Sequence, residues 1–299
     1  MKYMVLGGAG FIGSHLTERL LDDGHKVVVI DDLSTGKLKN LPKDNPNLEF
    51  HKISITDAIG NLFRGVDTVF HLAAKTRPQE SIKNPSLYNH VNIDGTLKIL
   101  EFCKGNNVRR MVFVSSSSIY GTQDRLPTFE SAIPIPVSPY ALTKLVGEQY
   151  CKLFERLYGL QVNYIRPFNV FGTRQNPNGG YAAAVCKFID MLKKGKTPYI
   201  TGDGKQTRDF IFIEDVVDLM LLASKSKVYG EAFNAGSETN ISINNLYNTI
   251  CKLMGKKVKP DYIAEVFEPR ITLANMGKAK KLLGWKSKVG LIDGLKTML

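Results

Sequence analysis

The feature that most restricts the fold is a run of glycines near the start of the chain, Gly7–Gly13. It follows an apolar run at 3–6, typical of a strand, and opens an amphipathic segment at 11–23, typical of a helix. Its first, fourth and seventh positions are glycine. They permit a tight turn, leave room for a pyrophosphate at the helix N-terminus, and let the helix approach the sheet closely. The run therefore predicts a dinucleotide-binding turn between a strand and a helix.

An acidic residue strengthens this interpretation. Asp31 lies 18 residues after Gly13, at the end of the β-branched run 27–30. A carboxylate there can accept hydrogen bonds from an adenosine ribose, and it would repel a 2′-phosphate. The alternative is a glycine-rich turn with no ligand, which the position of the acid disfavours. The sequence thus predicts NAD as the cofactor, in preference to NADP.

Strand-like and helix-like segments alternate as far as residue 166. The run 27–30 is continuously apolar, which suits a strand buried on both faces of a sheet. This alternation predicts an α/β fold with a doubly wound parallel sheet covered by helices. Further strands are expected at 49–54, 68–72, 110–115 and 161–166, and further helices at 86–104 and 140–158.

A second, smaller unit is expected after Pro167, where the regular alternation ends. Loops rich in Asn, Pro and Gly occur at 176–180 and 202–204, and shorter strands and helices complete the chain. The length of 299 residues leaves room for one large or two small domains.

The charge balance permits several classes of partner. With 40 basic and 28 acidic residues, the formal net charge of +12 would suit nucleic acid, anionic lipid or a phosphorylated substrate. Residues 251–299 hold eleven basic and four acidic side chains, scattered through amphipathic sequence and not interleaved with aromatics. A solvated lysine-rich surface is therefore favoured over a polyanion-binding one, and no nucleic acid partner is expected.

The cysteines and the hydropathy indicate the cellular setting. Cys103, Cys151, Cys186 and Cys251 are far apart and fall in helical segments, so we expect buried free thiols, as in a reducing cytosol. No apolar run approaches the ~20 residues that span a bilayer, and no signal-peptide core precedes the glycines. The sequence predicts a cytoplasmic protein with no membrane partner.

Further motifs carry a family resemblance. They are His71-Leu72-Ala73-Ala74, the serines before Tyr120-Gly121, the segment Ser138–Lys144, and the runs Arg166–Gly172, Gly202–Phe210 and Lys278–Trp285. Together with the glycines they resemble the extended short-chain dehydrogenase/reductases, most of all the nucleotide-sugar 4-epimerases of the NAD-dependent epimerase/dehydratase family. The resemblance covers nearly the whole chain. It implies a Rossmann domain for NAD at 1–166, to which 206–236 partly return, and a smaller nucleotide-sugar-binding domain at 167–299.

Two residues four apart suggest the catalytic chemistry. Tyr140 and Lys144 lie in a helical segment, so both side chains project from one face. A phenol has a pKa of about 10, but a nearby ammonium and a cationic nicotinamide both favour the phenolate and bring this pKa toward neutrality. An isolated pair at this spacing is usually an ordinary surface pair. Its place after a glycine run and a serine-ended strand favours a catalytic role.

The resemblance assigns roles to these residues. Tyr140 takes the proton of the sugar O4 hydroxyl while hydride passes from C4 to the nicotinamide, Lys144 also bonds the nicotinamide ribose, and Ser116 bridges sugar and phenolate. The next two positions, often acidic in family dehydratases and decarboxylases, are Ser117 and Ser118 here. Because elimination needs an acid to protonate the leaving hydroxyl, the serines argue against dehydration, although a purely polar strand end remains the alternative.

The expected contacts divide between cofactor and substrate. NAD is assigned to Gly7, Gly10, Phe11, Ile12, Gly13, Asp31, Asp32, Ser34, Thr35, Gly36, Ile55, Leu72, Ala73, Ala74, Tyr140 and Lys144. The substrate is assigned to Ser116, Ser117, Asn169, Val185, Arg208, Arg270 and Thr272. By the resemblance the two arginines grip a diphosphate, although either can be a surface ion-pair partner instead. No metal site is expected.

Four positions can be compared with the family pattern, and they concern the cofactor, the substrate or neither. Ser54 replaces an Asp that often contacts adenine in the family, and Thr201 replaces an aromatic residue that often stacks on uracil. Asn275 replaces an Asp, with no derived consequence. Thr272 takes the place of a pocket-wall residue, and its small size leaves space for an N-acetyl group.

The leading hypothesis is an NAD-retaining 4-epimerase of a nucleoside-diphosphate sugar, either UDP-glucose/UDP-galactose or the N-acetylated pair, with a transient 4-keto intermediate. One alternative is a related epimerase acting on a uronic acid or another nucleotide sugar. The other is a non-catalytic NAD-binding regulator, since fold does not fix function. Family members commonly pair two long helices from each subunit, so the amphipathic segments 86–104 and 140–158 predict a homodimer.

Overall fold

A computed structural model of the chain describes residues 1–177 and 184–299. Its centre is a seven-stranded, wholly parallel sheet. The strands of the described chain are β1 (Lys2–Leu6), β2 (Lys26–Ile30), β3 (Leu48–His51), β4 (Thr68–His71), β5 (Arg110–Val114), β6 (Gln161–Pro167), β7 (Asn169–Phe171), β8 (Tyr199–Thr201), β9 (Thr207–Arg208), β10 (Phe210–Phe212), β11 (Ala232–Ala235), β12 (Ile241–Ser242) and β13 (Asp261–Ile263).

The strand order in the large sheet is β11-β6-β5-β4-β1-β2-β3, so the chain leaves β1 first toward one edge and then toward the other. Such a reversal opens a crevice at the carboxyl ends of the central strands. The predicted doubly wound parallel sheet is confirmed.

Helices cover both faces of this sheet and also pack within the C-terminal part. They are α1 (Phe11–Asp22), α2 (Pro78–Lys83), α3 (Pro85–Asn89), α4 (Gly95–Gly105), α5 (Pro139–Tyr158), α6 (Ala184–Lys193), α7 (Ile213–Lys225), α8 (Ile243–Leu253), α9 (Gly277–Leu283) and α10 (Leu291–Lys296). The longest, α5, begins after Ser138, whose hydroxyl accepts a hydrogen bond from the Ala141 N–H, and ends at Gly159 in the left-handed conformation. These local signals fix both ends of the helix that carries Tyr140 and Lys144.

Alternation along β1 builds two hydrophobic cores. Tyr3 and Val5 pack into one core, while Met4 and Leu6 pack into the other on the opposite face. All four side chains are fully buried. The first core continues into the C-terminal part of the chain, so the sheet and the second unit share apolar packing.

Two predicted elements differ from the structure. The helix expected at 86–104 is formed by α3 and α4 with a π-helical turn, His90–Asp94, between them. That turn places the Asn92 amide against the Lys75 backbone and the Thr143 hydroxyl. The strand expected at 49–54 ends at His51 because Ser54 turns the chain, its hydroxyl accepting from the Thr56 N–H.

The C-terminal part contains three two-stranded sheets, β7 with β10, β8 with β13 and β9 with β12. β11 leaves this part and pairs with β6 at the edge of the large sheet, and α7 packs against α1. The exact domain limits expected from the sequence stay a prediction.

All four cysteines are buried thiols, as predicted. Among residues 1–177 and 184–299, no helix combines the length and the apolar character needed to cross a membrane.

Candidate active site

A deep cavity of about 460 Å³ lies at the carboxyl ends of the central strands. Its lining runs from the glycine turn and the end of β2, past the ends of β4 and β5, to loops of the C-terminal part. It brings together most of the residues that the sequence singled out. The cavity therefore joins the expected cofactor region to the expected substrate region.

The glycine turn forms a backbone cradle at the start of α1. Gly7 has a φ of +83°, and a Cβ added at Gly13 would lie 2.1 Å from the Gly7 carbonyl oxygen. Gly10 precedes the helix without any side-chain cap, so the first N–H groups of α1 remain available to an anion. Phe11 and Ile12 also line the cavity. This geometry fits a pyrophosphate.

Asp31 sits beside this cradle. Its carboxylate accepts hydrogen bonds from the Ala9 N–H at 3.0 Å and the Leu33 N–H at 2.8 Å. Burial raises the pKa of Asp31, and the backbone donors oppose that rise. Asp32, Ser34 and Thr35 line the same end of the cavity. The arrangement fits the ribose hydroxyls of an adenosine.

The middle of the cavity is formed by the ends of β4 and β5. It is lined by Leu72, Ala73 and Ala74. Ile55 also lines it, as does Ser54, which replaces the Asp common at this position in the family. A Cβ on Gly7 would lie 2.8 Å from the Ala73 backbone nitrogen, so the glycine turn and this segment are in close contact. The cavity wall is therefore continuous from Asp31 to Tyr140 and Lys144.

The structure brings Ser116, Tyr140 and Lys144 to one wall of the cavity. Ser116 caps the short helical turn Ser117–Tyr120, and its hydroxyl oxygen accepts from the N–H and the hydroxyl of Ser118. Lys144 donates from Nζ to the Val114 carbonyl oxygen at 2.8 Å. The end of β5 thus supplies both the serine and the carbonyl that anchors the lysine.

Burial dominates the ionisation of the pair on α5. It raises the pKa of Tyr140 to about 12, against a hydrogen bond with Ser116 that lowers it. It lowers the pKa of Lys144 to about 8, against the neighbouring Cys151 and Glu148. The protein by itself therefore holds the tyrosine as a neutral phenol. The lowering of its pKa expected from the sequence would have to come from an added positive charge.

The far end of the cavity is lined by Asn169, Arg208 and Thr272. Ser117 lines the cavity nearer its middle. The Arg208 guanidinium is buried and forms an ion pair with Glu268, which also lines the cavity. Thr272 accepts a long hydrogen bond, 3.4 Å, from the Asp209 N–H. A buried cation facing the cavity suits a diphosphate.

Three expected contacts lie off the cavity wall. Arg270 is 48% exposed and pairs with Asp203 and Glu265 at the surface, so it does not line the cavity, and its contact with a diphosphate stays a prediction. Val185 is fully buried in the hydrophobic core, where its side chain packs against apolar neighbours, and its substrate contact stays a prediction. Gly36 lies behind Asp31, since a Cβ there would meet that carboxylate at 2.8 Å.

Two other positions that differ from the family pattern, Thr201 and Asn275, make local hydrogen bonds. Thr201 does not line the cavity, and its carbonyl oxygen accepts from the Gln206 amide. The Asn275 side chain accepts from the Gly277 N–H at 2.9 Å, which an aspartate could do equally well. The change at position 275 therefore has no consequence for the site.

Sequence reasoning missed several lining residues. Lys37 and Asn40 line the ribose end, Arg174 lines the wall near α1, and Phe267 and Glu268 line the substrate end. Among these residues, only Arg174 follows one of the family-like motifs, Arg166–Gly172, closely enough to have been found from the sequence. The others lie in loops, where no periodicity marks the side that faces a ligand.

The chain is similar to known proteins along nearly its whole length. The model of the NAD dependent epimerase/dehydratase family matches residues 3–236. A curated relative, UDP-glucose 4-epimerase of Mycolicibacterium smegmatis, is 37% identical over 99% of this chain and 96% of its own length.

Two solved structures, each 36% identical, cover 99% of this chain and 97% of their own. One is a UDP-glucose 4-epimerase of Thermotoga maritima with UDP-glucose, with a TM-score of 0.95. The other is a UDP-N-acetylglucosamine 4-epimerase of Methanobrevibacter ruminantium in complex with UDP-N-acetylmuramic acid, with a TM-score of 0.94.

Proposed function

Because this chain belongs to the NAD dependent epimerase/dehydratase family, whose cofactor is NAD, we propose that it inverts the hydroxyl at C4 of a UDP-sugar. The sugars proposed are UDP-glucose and UDP-galactose, together with their N-acetylated counterparts. The reaction proceeds through a 4-keto sugar that is reduced again on its other face.

The observation that carries this proposal is the chemistry of the serine turn. Ser116, Ser117 and Ser118 line the cavity, and the Ser118 hydroxyl donates to that of Ser116. Among the described lining residues, the carboxylates are Asp31, Asp32 and Glu268, which lie at the ribose end or pair with Arg208. No acid is therefore placed beside the catalytic tyrosine to protonate a leaving hydroxyl. Epimerisation needs no such acid.

The residues of the chain would divide the work of proton transfer and orientation. The Tyr140 phenolate oxygen would accept the O4 proton and, as the phenol, later return it, and Ser116 would hold O4 by a hydrogen bond. Bound NAD supplies the two-electron redox chemistry and is restored within each turnover. Lys144 keeps a positive charge close to the phenol, which favours the phenolate at the moment of proton transfer.

The two ends of the cavity support the assignment of cofactor and substrate. The glycine cradle and Asp31 fit NAD, and we place this cofactor on residues 1–166. Arg208 and Asn169 lie at the opposite end, where we place the nucleotide sugar on residues 167–299. For the diphosphate to bind Arg208 it must share that guanidinium with Glu268 or displace it.

The test is to incubate the purified holoenzyme with UDP-glucose, UDP-N-acetylglucosamine and UDP-glucuronate in separate reactions. Products are identified by NMR and mass. We expect the C4 epimer of one or both of the first two substrates, with unchanged mass. Conversion of UDP-glucuronate alone would favour the uronic acid alternative, and loss of water would refute epimerisation.

A Tyr140→Phe variant provides the matched control, because it keeps the ring and removes the phenol oxygen. Turnover should fall by about 10²–10⁴-fold while NAD stays bound. A variant with wild-type turnover would remove Tyr140 from the mechanism. Turnover of no sugar by the wild type, with NAD bound, would favour the regulator.

We also propose a homodimer built on α5. Leu142, Leu153 and Leu157 are exposed by 49%, 45% and 60%. Their spacings of 11 and 4 residues place them on one helical face. Exposed leucines aligned on a 20-residue helix form an apolar stripe that a second copy of the chain would bury.

A further inference from the structure

A buried ion pair lies behind the catalytic residues. Glu148 on α5 and Arg166 on β6 form two parallel hydrogen bonds, Nε to Oε1 at 2.9 Å and a terminal guanidinium nitrogen to Oε2 at 2.7 Å. The side chains are 0% and 5% exposed. Neither residue lines the cavity, and the chemistry described above uses neither.

The Arg166 side of this pair reaches the serine turn. Its other terminal nitrogen donates to the Tyr120 hydroxyl at 2.9 Å, and that hydroxyl donates to the Asn234 side-chain oxygen at 2.6 Å. Tyr120 is the last residue of the turn that Ser116 caps. The buried guanidinium therefore fixes one end of the turn, and the serine stands at the other.

The Glu148 side reaches the lysine. Glu148 follows Lys144 by four residues on the buried face of α5, so their side chains are neighbours one helical turn apart. The other titratable groups near this ammonium are the Cys151 thiol and His71 on β4, and Tyr140 precedes it by one helical turn on α5. Glu148 is the carboxylate among them, and it favours the protonated form of Lys144.

We infer that the Glu148–Arg166 pair is a positioning element of the catalytic site: Glu148 keeps a buried negative charge one helical turn from the Lys144 ammonium, and Arg166, through Tyr120, holds the turn that carries Ser116. This inference rests on the proposed function for the reaction that it serves. One pair thereby ties two catalytic residues from different elements to the same buried point.

A merely structural pair would behave differently. Buried ion pairs can often be replaced by apolar residues of similar size without loss of the fold, whereas removal of one partner leaves an unpaired buried charge. A positioning pair, in contrast, controls where the reacting groups stand, and a displacement of 1 Å can cost about 10²-fold in rate. The pH dependence of catalysis distinguishes these roles, because only a positioning pair sets the protonation of Lys144.

The experiment compares Glu148→Gln with Glu155→Gln, the same substitution on the same helix three turns from Lys144, using whichever sugar pair the wild-type holoenzyme converts. Glu148→Gln should lower kcat by about 10²-fold. The alkaline limb of kcat should move down by roughly one pH unit, because Lys144 loses a neighbouring negative charge. Glu155→Gln should keep the wild-type limb. An unchanged limb in Glu148→Gln would overturn the inference.

Two further variants cover other outcomes. If Glu148→Gln does not fold, the double variant Glu148→Leu/Arg166→Met removes both charges together, and it should fold with the same shifted limb. A double variant with wild-type kcat and limb would show a purely structural pair. Tyr120→Phe should lower kcat and leave the alkaline limb in place, since it loosens the serine turn alone.

An activity-independent measurement separates this inference from the proposed function. Burial lowers the pKa of Lys144 to about 8, below its ordinary value of 10.5. Between these values the unfolded chain binds more protons, so Lys144 makes stability rise with pH. Comparison with Lys144→Met isolates this rise in urea unfolding. In Glu148→Gln it should begin at lower pH, and a rise beginning at the wild-type pH would refute the inference even if no sugar is converted.

Discussion

Gly13→Ala tests the packing of the cofactor turn most directly. The added Cβ would lie 2.1 Å from the Gly7 carbonyl oxygen and 2.8 Å from the Gly8 Cα. The first distance is 0.9 Å below the 3.0 Å that real Cβ contacts respect. Because the blocking atoms belong to the backbone of Gly7 and Gly8, no rotamer change can relieve the clash, and the start of α1 must move away from this turn.

The expected cost is that of overpacking with backbone displacement, about 3 kcal/mol. For a chain of 299 residues, with an unfolding entropy of about 2.1 cal/mol/K per residue, that corresponds to a drop in Tm of roughly 5 °C. NAD binding should also weaken at least tenfold, since the displaced helix no longer directs its N–H groups at the pyrophosphate. Thermal unfolding with and without NAD, together with calorimetric titration, measures both effects.

Two glycines provide graded controls. A Cβ on Gly10 would meet the Gly7 oxygen at 3.2 Å, so Gly10→Ala should cost the fold little and reduce NAD binding, because this residue lines the cavity. Gly105, at the end of α4, has no neighbour within 4 Å of an added Cβ. Gly105→Ala should stabilise the protein by about 0.5–1 kcal/mol. Wild-type stability and NAD affinity in Gly13→Ala would refute the close approach.

Three other predictions concern cofactor choice, sugar size and assembly. Asp31→Ala should lose the preference for NAD over NADP, measured by calorimetry; equal binding of both by the wild type would show that the carboxylate does not contact the ribose. Thr272→Tyr should selectively suppress conversion of the N-acetylated sugars, because the larger ring would fill the space of the acetamido group. The wild type should convert both pairs, since a roomy pocket rejects a smaller substrate by only about 1–3 kcal/mol; equal loss for both pairs in the variant would mean that Thr272 is not a pocket wall. Light scattering should show a dimer at micromolar concentration, and a Leu153→Glu variant should dissociate it; a wild-type monomer would contradict the α5 interface.

The sequence by itself determined the parts of this protein that depend on short-range geometry. The glycine spacing predicts the turn because strand, turn and helix N-terminus are contiguous in the chain. The four-residue spacing of Tyr140 and Lys144 places both on one face because the helical period is fixed. The parallel sheet follows from the alternating order of strands and helices along the chain, which is also a property of the sequence alone.

Loops were less predictable, because nothing in their spacing states which side faces a ligand. Arg270 has the right chemistry for a diphosphate, but the fold places acidic residues 203 and 265 beside it, and it pairs with them at the surface. Arg208, also in a loop-rich region, is instead buried against the cavity.

Only the tertiary structure decided the electrostatics of the catalytic wall. The sequence identifies Tyr140 and Lys144 but not their environment. Burial moves their pKa values in opposite directions, to about 12 for Tyr140 and about 8 for Lys144. Desolvation depends on everything packed around a group, which no local pattern records. The Glu148–Arg166 pair is the clearest case: its partners come from a helix and a strand, and they meet because the sheet and α5 pack face to face.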